Sequence, residues 1–196
     1  MSNKVLSLGS ATAAAALLTV SGATNATPIV ITLGAGHGLK NDDRIAIAGI
    51  TGNTNANGTW SLANVTATTA VLLGSSGNGA YGGTPRVGVV FSHTPHMKQH
   101  SMNCAAWGNG VATLDIESYA SLADFAAGSN NDGASAPVMA PSIGVASAGS
   151  NSTPAKSTVT LTAATSGVEF EIKPNIIMRA VLTAYTSGTV GVSITS

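Results

Sequence analysis

The sequence predicts a mainly β protein: an N-terminal small β-barrel or sandwich module, a connecting region with one short helix and an extended arm, and a C-terminal β module. Three observations carry this. Short apolar or alternating runs recur roughly every ten residues through the first half, separated by Gly and Asn clusters. Strict alternation returns near the end, most cleanly at Val168-Glu169-Phe170-Glu171-Ile172. Between them only residues 115–127 show helical spacing. The expected divisions are 1–93, 94–150 and 151–196.

Lys4, the run Ala13 to Val20 and the small residues Ser21-Gly22-Ala23 imitate a secretory signal. The run is too short to span a bilayer, and the segment is read as part of the fold. Leu17 to Val20 and Pro28 to Leu33 are strand-like and flank a turn. Gly34-Ala35-Gly36-His37-Gly38 is a loop. In Arg44 to Ile50, Ile45 and Ile47 share one face, Ala46 and Ala48 the other. Gly52 to Gly58 is a dense turn cluster. Thr59 to Thr66 and Thr69 to Leu73 read as a hairpin, with Trp60, Leu62 and Val65 toward the core. Ser75 to Gly83 is another glycine loop, and Arg86 to Phe91 a further strand.

From His93 to Gly110 the periodicity is lost. Residues 115–127 are the expected helix, with Ile116, Tyr119, Leu122, Ala123 and Ala126 as its apolar stripe and Gly128 placed to end it. Residues 129–151 read as an extended arm, costly to order alone and better held on a neighbouring surface. Thr158 to Thr162, Val168 to Ile172, Ile176 to Thr183 and Val190 to Ile194 are the C-terminal strands.

Charge is the most informative part of the composition. The 196 residues hold 8 Lys or Arg and 8 Asp or Glu, a formal net charge of zero. Charged residues are 8% of the chain, against about 25% in an ordinary soluble domain. No basic patch exists to grip phosphate, so a nucleic-acid partner is not expected. An exterior this neutral favours self-association. Either Thr, Ser and Asn solvate the surface, or neighbours cover it; the second reading is preferred. The single cysteine, Cys104, forms no internal disulfide and is read as a small buried hydrophobe.

Motifs with chemistry are scarce. Gly34, Gly36 and Gly38 follow a strand as a dinucleotide loop would, but the spacing is wrong and no helix follows to hold a pyrophosphate. The loop is read as a glycine-permitted turn. His93, His96, His100 and Cys104 are the only candidate metal ligands; their intervals would line one helical face, but Pro95 breaks it and no paired cysteines accompany them. Asp115 with Glu117, and Glu169 with Glu171, stand at i, i+2 spacing, but no aromatic sugar platform goes with them. Nucleophile-elbow, Walker and HExxH motifs are absent. The sequons at Asn25, Asn57, Asn64 and Asn151 are expected by chance. The expectation is therefore no catalytic residue, no cofactor and no enzymatic activity.

Several segments carry a resemblance. They are Thr24 to Thr32 followed by His37-Gly38-Leu39; Asp43 to Ile50; Gly52-Asn53-Thr54-Asn55-Ala56-Asn57-Gly58-Thr59-Trp60; and Gly74 to Tyr81. In order and spacing they resemble a small β module that recurs in structural proteins of tailed bacteriophages. The resemblance covers residues 17–85, under half the chain. It departs from the pattern at Asn41-Asp42, where the module has a glycine before the Asp-Arg pair. No catalytic residues are carried over, because the family has none that define it.

The resemblance implies a virion structural protein. The leading expectation is a capsid decoration (cement) protein on the capsid surface, a symmetric homo-oligomer such as a trimer, bridging subunits of the major capsid protein. A tail, head-tail adaptor or fibre component bound to tail proteins is the alternative. A secreted carbohydrate-binding domain, using exposed Trp60, Tyr81 or Trp107, is the reading from another class. No membrane partner is expected.

Overall fold

The computed structural model describes residues 5–11, 16, 18–90, 102–108, 112–119, 121–128, 140–141, 156–161, 167–172, 177–188 and 190–195. The strands are β1 (Val5–Ala11), β2 (Val20–Ala23), β3 (Val30–Leu33), β4 (Arg44–Ile50), β5 (Gly58–Ala63), β6 (Thr69–Leu72), β7 (Gly83–Val90), β8 (Met102–Gly108), β9 (Ala112–Tyr119), β10 (Ala140–Pro141), β11 (Lys156–Leu161), β12 (Gly167–Ile172), β13 (Ile177–Tyr185) and β14 (Val190–Thr195). Among the described residues the single α-helix is α1 (Leu122–Ala127). The protein is mainly β, as the sequence predicts.

Two antiparallel sheets hold these strands, ordered β1-β14-β8-β12-β10 and β11-β9-β13-β7-β4-β5-β6-β3-β2. In the larger sheet β5 turns a corner. Thr59 to Ser61 pair with β4, whereas Leu62 and Ala63 pair with β6. The sheet then curls until β2 lies alongside β7, giving a barrel-like unit from β2 to β7. Ile29, Ile31, Ile45, Ile47, Leu62 and Leu72 fill it, all fully buried. Trp60 and Tyr81 pack against that core from its margin. The Trp60 indole donates to Ala56 O at 2.9 Å and the Tyr81 hydroxyl to Val20 O at 3.0 Å. Each ring thus finds a backbone partner for its polar atom, as half-buried aromatics do.

The sheet does not stop at residue 93. Val89 and Val90 of β7 pair with Met178 and Ile177 of β13, so the C-terminal strands extend the sheet that the barrel begins. Ala112 and Leu114 of β9, Ala180 and Leu182 of β13, and Val190 and Val192 of β14 continue the same core between the two sheets.

The opposite face of the larger sheet explains α1. Ala46 and Ala48 point there, away from Ile45 and Ile47, and cluster with Val90, Tyr119, Ile177 and the helical Phe125. This two-sided burial of β4 was readable from its alternation. A Cβ on Gly88 would stand 2.8 Å from Ile177 Cγ2 and 3.2 Å from the Phe125 ring, so the helix seats only because β7 has no side chain there.

The helix departs from its expected range. Residues 112–119 are strand β9, bonded to β13 on one side and β11 on the other, and α1 starts at Leu122. Two ladders outweigh the helical spacing of a short window. Ser121 fixes the start, accepting the Asp124 N–H at 3.1 Å, a capping arrangement. Gly128 ends the helix at φ 66°, as expected. The apolar stripe is also corrected: Leu122, Ala123 and Ala126 are exposed, and Phe125 is the buried anchor.

Two further corrections concern strands. Part of the patternless stretch from His93 to Gly110 is β8, and the strand expected at Leu17 to Val20 begins at Val20. The arm expected at 129–151 lies outside the described residues, except that Ala140 and Pro141 pair with Glu171 and Phe170.

Candidate functional site

Two polar assemblies stand out. The first ties together three loops at one end of the barrel, 24–28, 51–58 and 74–79. Asn53, wholly buried, donates to Thr24 O at 2.9 Å and accepts the Asn78 N–H at 3.0 Å. The Asn78 side chain accepts the Asn55 N–H at 3.0 Å and donates to Thr54 Oγ1 at 2.8 Å. Asn55 donates to Ser76 O, and Asn57 grips both backbone groups of Ile50. Ser75 accepts the Ile29 N–H and donates to Leu72 O. The loops come so close that a Cβ on Gly52, at φ 39°, would stand 1.9 Å from Ala80 O. Only glycine fits that position.

The second assembly lies beside α1, on the outer face of the larger sheet. The strand register sets Arg179 directly opposite Glu117. Glu117 Oε2 accepts from Arg179 at 3.0 Å, from Arg86 at 3.3 Å and from the Tyr119 hydroxyl at 2.7 Å. Arg86 also donates to the Tyr119 hydroxyl. Its guanidinium sits over the Tyr119 and Phe125 rings, 5.4 Å and 5.6 Å from their centroids. Tyr119 meets Phe125 edge-on at 5.2 Å. The side chains of Arg86, Arg179 and Glu117 are 29%, 17% and 15% exposed. Burial first, then the hydrogen bond to Glu117 and its charge, push the Tyr119 phenol above its usual range; the two arginines pull it the other way without winning. A phenol holding its proton this firmly is the reverse of an activated nucleophile. The arrangement fastens β7, β9, β13 and α1 to one another.

The other sequence candidates fall as follows. Gly36 and Gly38 take positive φ, 79° and 64°, and β4 follows them, so the loop is the turn it was read as. The buried His37 in that loop pairs with Thr66 O through Nε2 at 2.9 Å and accepts the Leu39 N–H through Nδ1 at 3.0 Å. His93, His96 and His100 lie outside the described residues. Cys104 is in strand β8, paired with Phe170 and Ile194, so the helical face that would have joined the four does not reach it. Asp115 and Glu117 share a strand face: Asp115 is buried, and Glu117 serves the two arginines. Glu169 and Glu171 lie in β12.

The Arg86 and Arg179 pairing was missed. Its signal was present: an arginine inside Ile177-Met178-Arg179-Ala180-Val181, an otherwise apolar run, needs a counter-ion.

Comparison with known protein families, curated proteins and solved structures finds no match.

One property of the described surface remains. Nine ionisable acids and bases other than histidine and tyrosine have described side chains: Lys40, Asp42, Asp43, Arg44, Arg86, Asp115, Glu117, Asp124 and Arg179. Of these, only Lys40, Asp42 and Arg44 are exposed, in the turn that leads into β4 and at the first residue of that strand. The other six described charged side chains are buried or part-buried.

Proposed function

We propose that this chain is a structural protein of a bacteriophage virion, a capsid decoration protein that bridges neighbouring capsid subunits as a homo-oligomer. The observation that carries the reading is the near absence of exposed charge outside residues 40–44 among the described residues. Such an exterior is poorly suited to a free monomer and well suited to coverage by neighbours. The segments that resemble the phage module add support: they are the ones welded into the barrel and its loop end, the latter by neutral side chains.

The action is mechanical. A decoration protein adds buried area and strand-edge hydrogen bonds across subunit boundaries, resisting outward pressure. A rigid barrel with glycine-tight loops suits that task, because a bridge that deforms carries no load.

Stoichiometry in purified virions tests the proposal. Hundreds of copies per particle are expected. A dozen or fewer would move the protein to the neck, tail or fibre, and absence from particles would overturn the reading. A chain that stays monodisperse as a monomer at millimolar concentration would remove its physical basis.

A further inference from the structure

The four sheet edges are not alike. An exposed strand edge offers unpaired N–H and C=O groups to any other strand, and folded proteins blunt such edges with bulges, shortness, proline or charge. β2 has four residues and a register shift between Val20 and Gly22, and the Tyr81 hydroxyl occupies Val20 O. β1 is broken by a register shift between Ser7 and Gly9. β10 has two residues, one of them Pro141. β11 has none of these devices. Lys156 to Leu161 pair with Glu117 to Ala112 in six consecutive steps without a shift. The strand contains no proline or glycine, and its one charge is at its first residue. Among the described strands it has a hydrogen-bonded neighbour on one side only.

We infer that the free edge of β11 is a self-association edge, where β11 of a second copy adds antiparallel and joins the two larger sheets into one. This rests on the reading of the chain as a subunit of an assembly, and it names the surface. The occupant is a second copy because the strand complements itself. Directly opposed residues in an antiparallel pair are of the same hydrogen-bonding type, so a two-fold axis must set one residue opposite its own copy. Two central registers satisfy this. In one, Thr158 faces Thr158, Ser157 faces Val159 and Lys156 faces Thr160. In the other, Val159 faces Val159 and Thr158 faces Thr160. Both place β-branched residues opposite one another, which is favourable across strands. Both hold the two Lys156 at opposite ends of the ladder, so no like charges meet. The contact is isologous and closed, which yields a dimer rather than a fibre.

Cysteine cross-linking of the full chain tests this, with Cys104→Ser as background. Sedimentation equilibrium is expected to give twice the 19.2 kDa chain mass. Of Thr158→Cys and Val159→Cys, one is expected to oxidise to a disulfide-linked dimer and the other not, which also selects the register. Thr160→Lys puts a cation opposite Lys156 in the first register and beside the two-fold axis in the second, and is expected to weaken dimerisation at least tenfold. A monomer, a trimer, or a dimer that neither cysteine cross-links would overturn the inference, as would a folded Thr160→Lys chain that associates like the parent. Should Thr160→Lys not fold, the cysteine pair decides alone. The outcome is separable from the virion reading: a dimer joined here but absent from particles would sink only that reading, whereas a particle component that is trimeric in solution would sink only this edge.

Discussion

The loop end of the barrel and the face beneath α1 solve one problem with different chemistry. Each fastens segments far apart in sequence: 24–28, 51–58 and 74–79 in one, Arg86, Glu117 and Arg179 in the other. The loop end uses neutral amides and hydroxyls, each satisfied by a specific partner and each worth about 1 kcal/mol net. The α1 face uses two guanidiniums on one carboxylate, where desolvation offsets most of the Coulombic gain. The α1 face thus holds its ions where strand register already sets Arg179 opposite Glu117, and the loop end leaves its cross-linking to asparagine. The amide assembly holds by many small contributions, whereas the ionic one hangs on a single carboxylate.

The largest effect expected from that contrast is at the carboxylate. Glu117→Ala leaves two part-buried guanidiniums without a counter-ion and the Tyr119 hydroxyl without its acceptor. It should cost about 3 kcal/mol, a single cut to a buried ionic cluster discounted for the exposure of Arg86. The shift in urea midpoint at unchanged slope measures it. Replacing Arg86, Glu117 and Arg179 together by Met, Leu and Met should cost less than the single change. A single-site loss below about 1 kcal/mol would mean that water screens the cluster, and the contrast would fail.

Next comes the centre of the loop end. Asn53→Ala removes a donor to Thr24 O and an acceptor for the Asn78 N–H at a site without water access, and should cost about 2 kcal/mol. Asn53→Asp keeps the acceptor but turns an oxygen toward Thr24 O, so it should be no better tolerated. Asn55 sits at the exposed margin, and Asn55→Ala should cost under about 1 kcal/mol. Equal losses at Asn53 and Asn55 would mean that burial does not grade this assembly.

The barrel was legible because its signals are local. β4 begins and ends at the expected residues, and Gly/Asn clusters mark real turns whose glycines are required by contact. The hairpin of β5 and β6 is present, with Leu62 opposite Leu72. Legibility fell where long-range pairing decides. Residues 115–119 carry helical spacing yet belong to strand β9 because β11 and β13 flank them, and nothing in the window announces those partners. Phe125 was overlooked as the anchor because a six-residue helix needs one buried ring, not a stripe. The ionic cluster was half visible: Glu117 drew notice as one of a carboxylate pair, while Arg179, whose apolar surroundings demanded a partner, did not.

The smallest effect is a pH dependence that should belong to one region only. Burial and the Glu117 hydrogen bond raise the folded-state pKa of Tyr119 above the unfolded value of about 10. The folded chain therefore holds a proton that the unfolded chain gives up. The stabilisation linked to that proton is complete below pH 10 and disappears as pH climbs toward the folded-state pKa. Tyr81 shifts in the same direction through burial alone, so alkaline unfolding of the parent chain sums both. Tyr119→Phe isolates the first. Its stability relative to the parent should be constant from pH 6 to 9 and should then improve by roughly 0.8 kcal/mol between pH 9 and 10.5, the most that one proton allows over that span. Asn53→Ala should keep the same deficit at every pH, because no amide titrates. If the Tyr119→Phe and parent curves run parallel through pH 10.5, neither burial nor Glu117 holds the phenol's proton, and the two regions differ in composition but not in electrostatics.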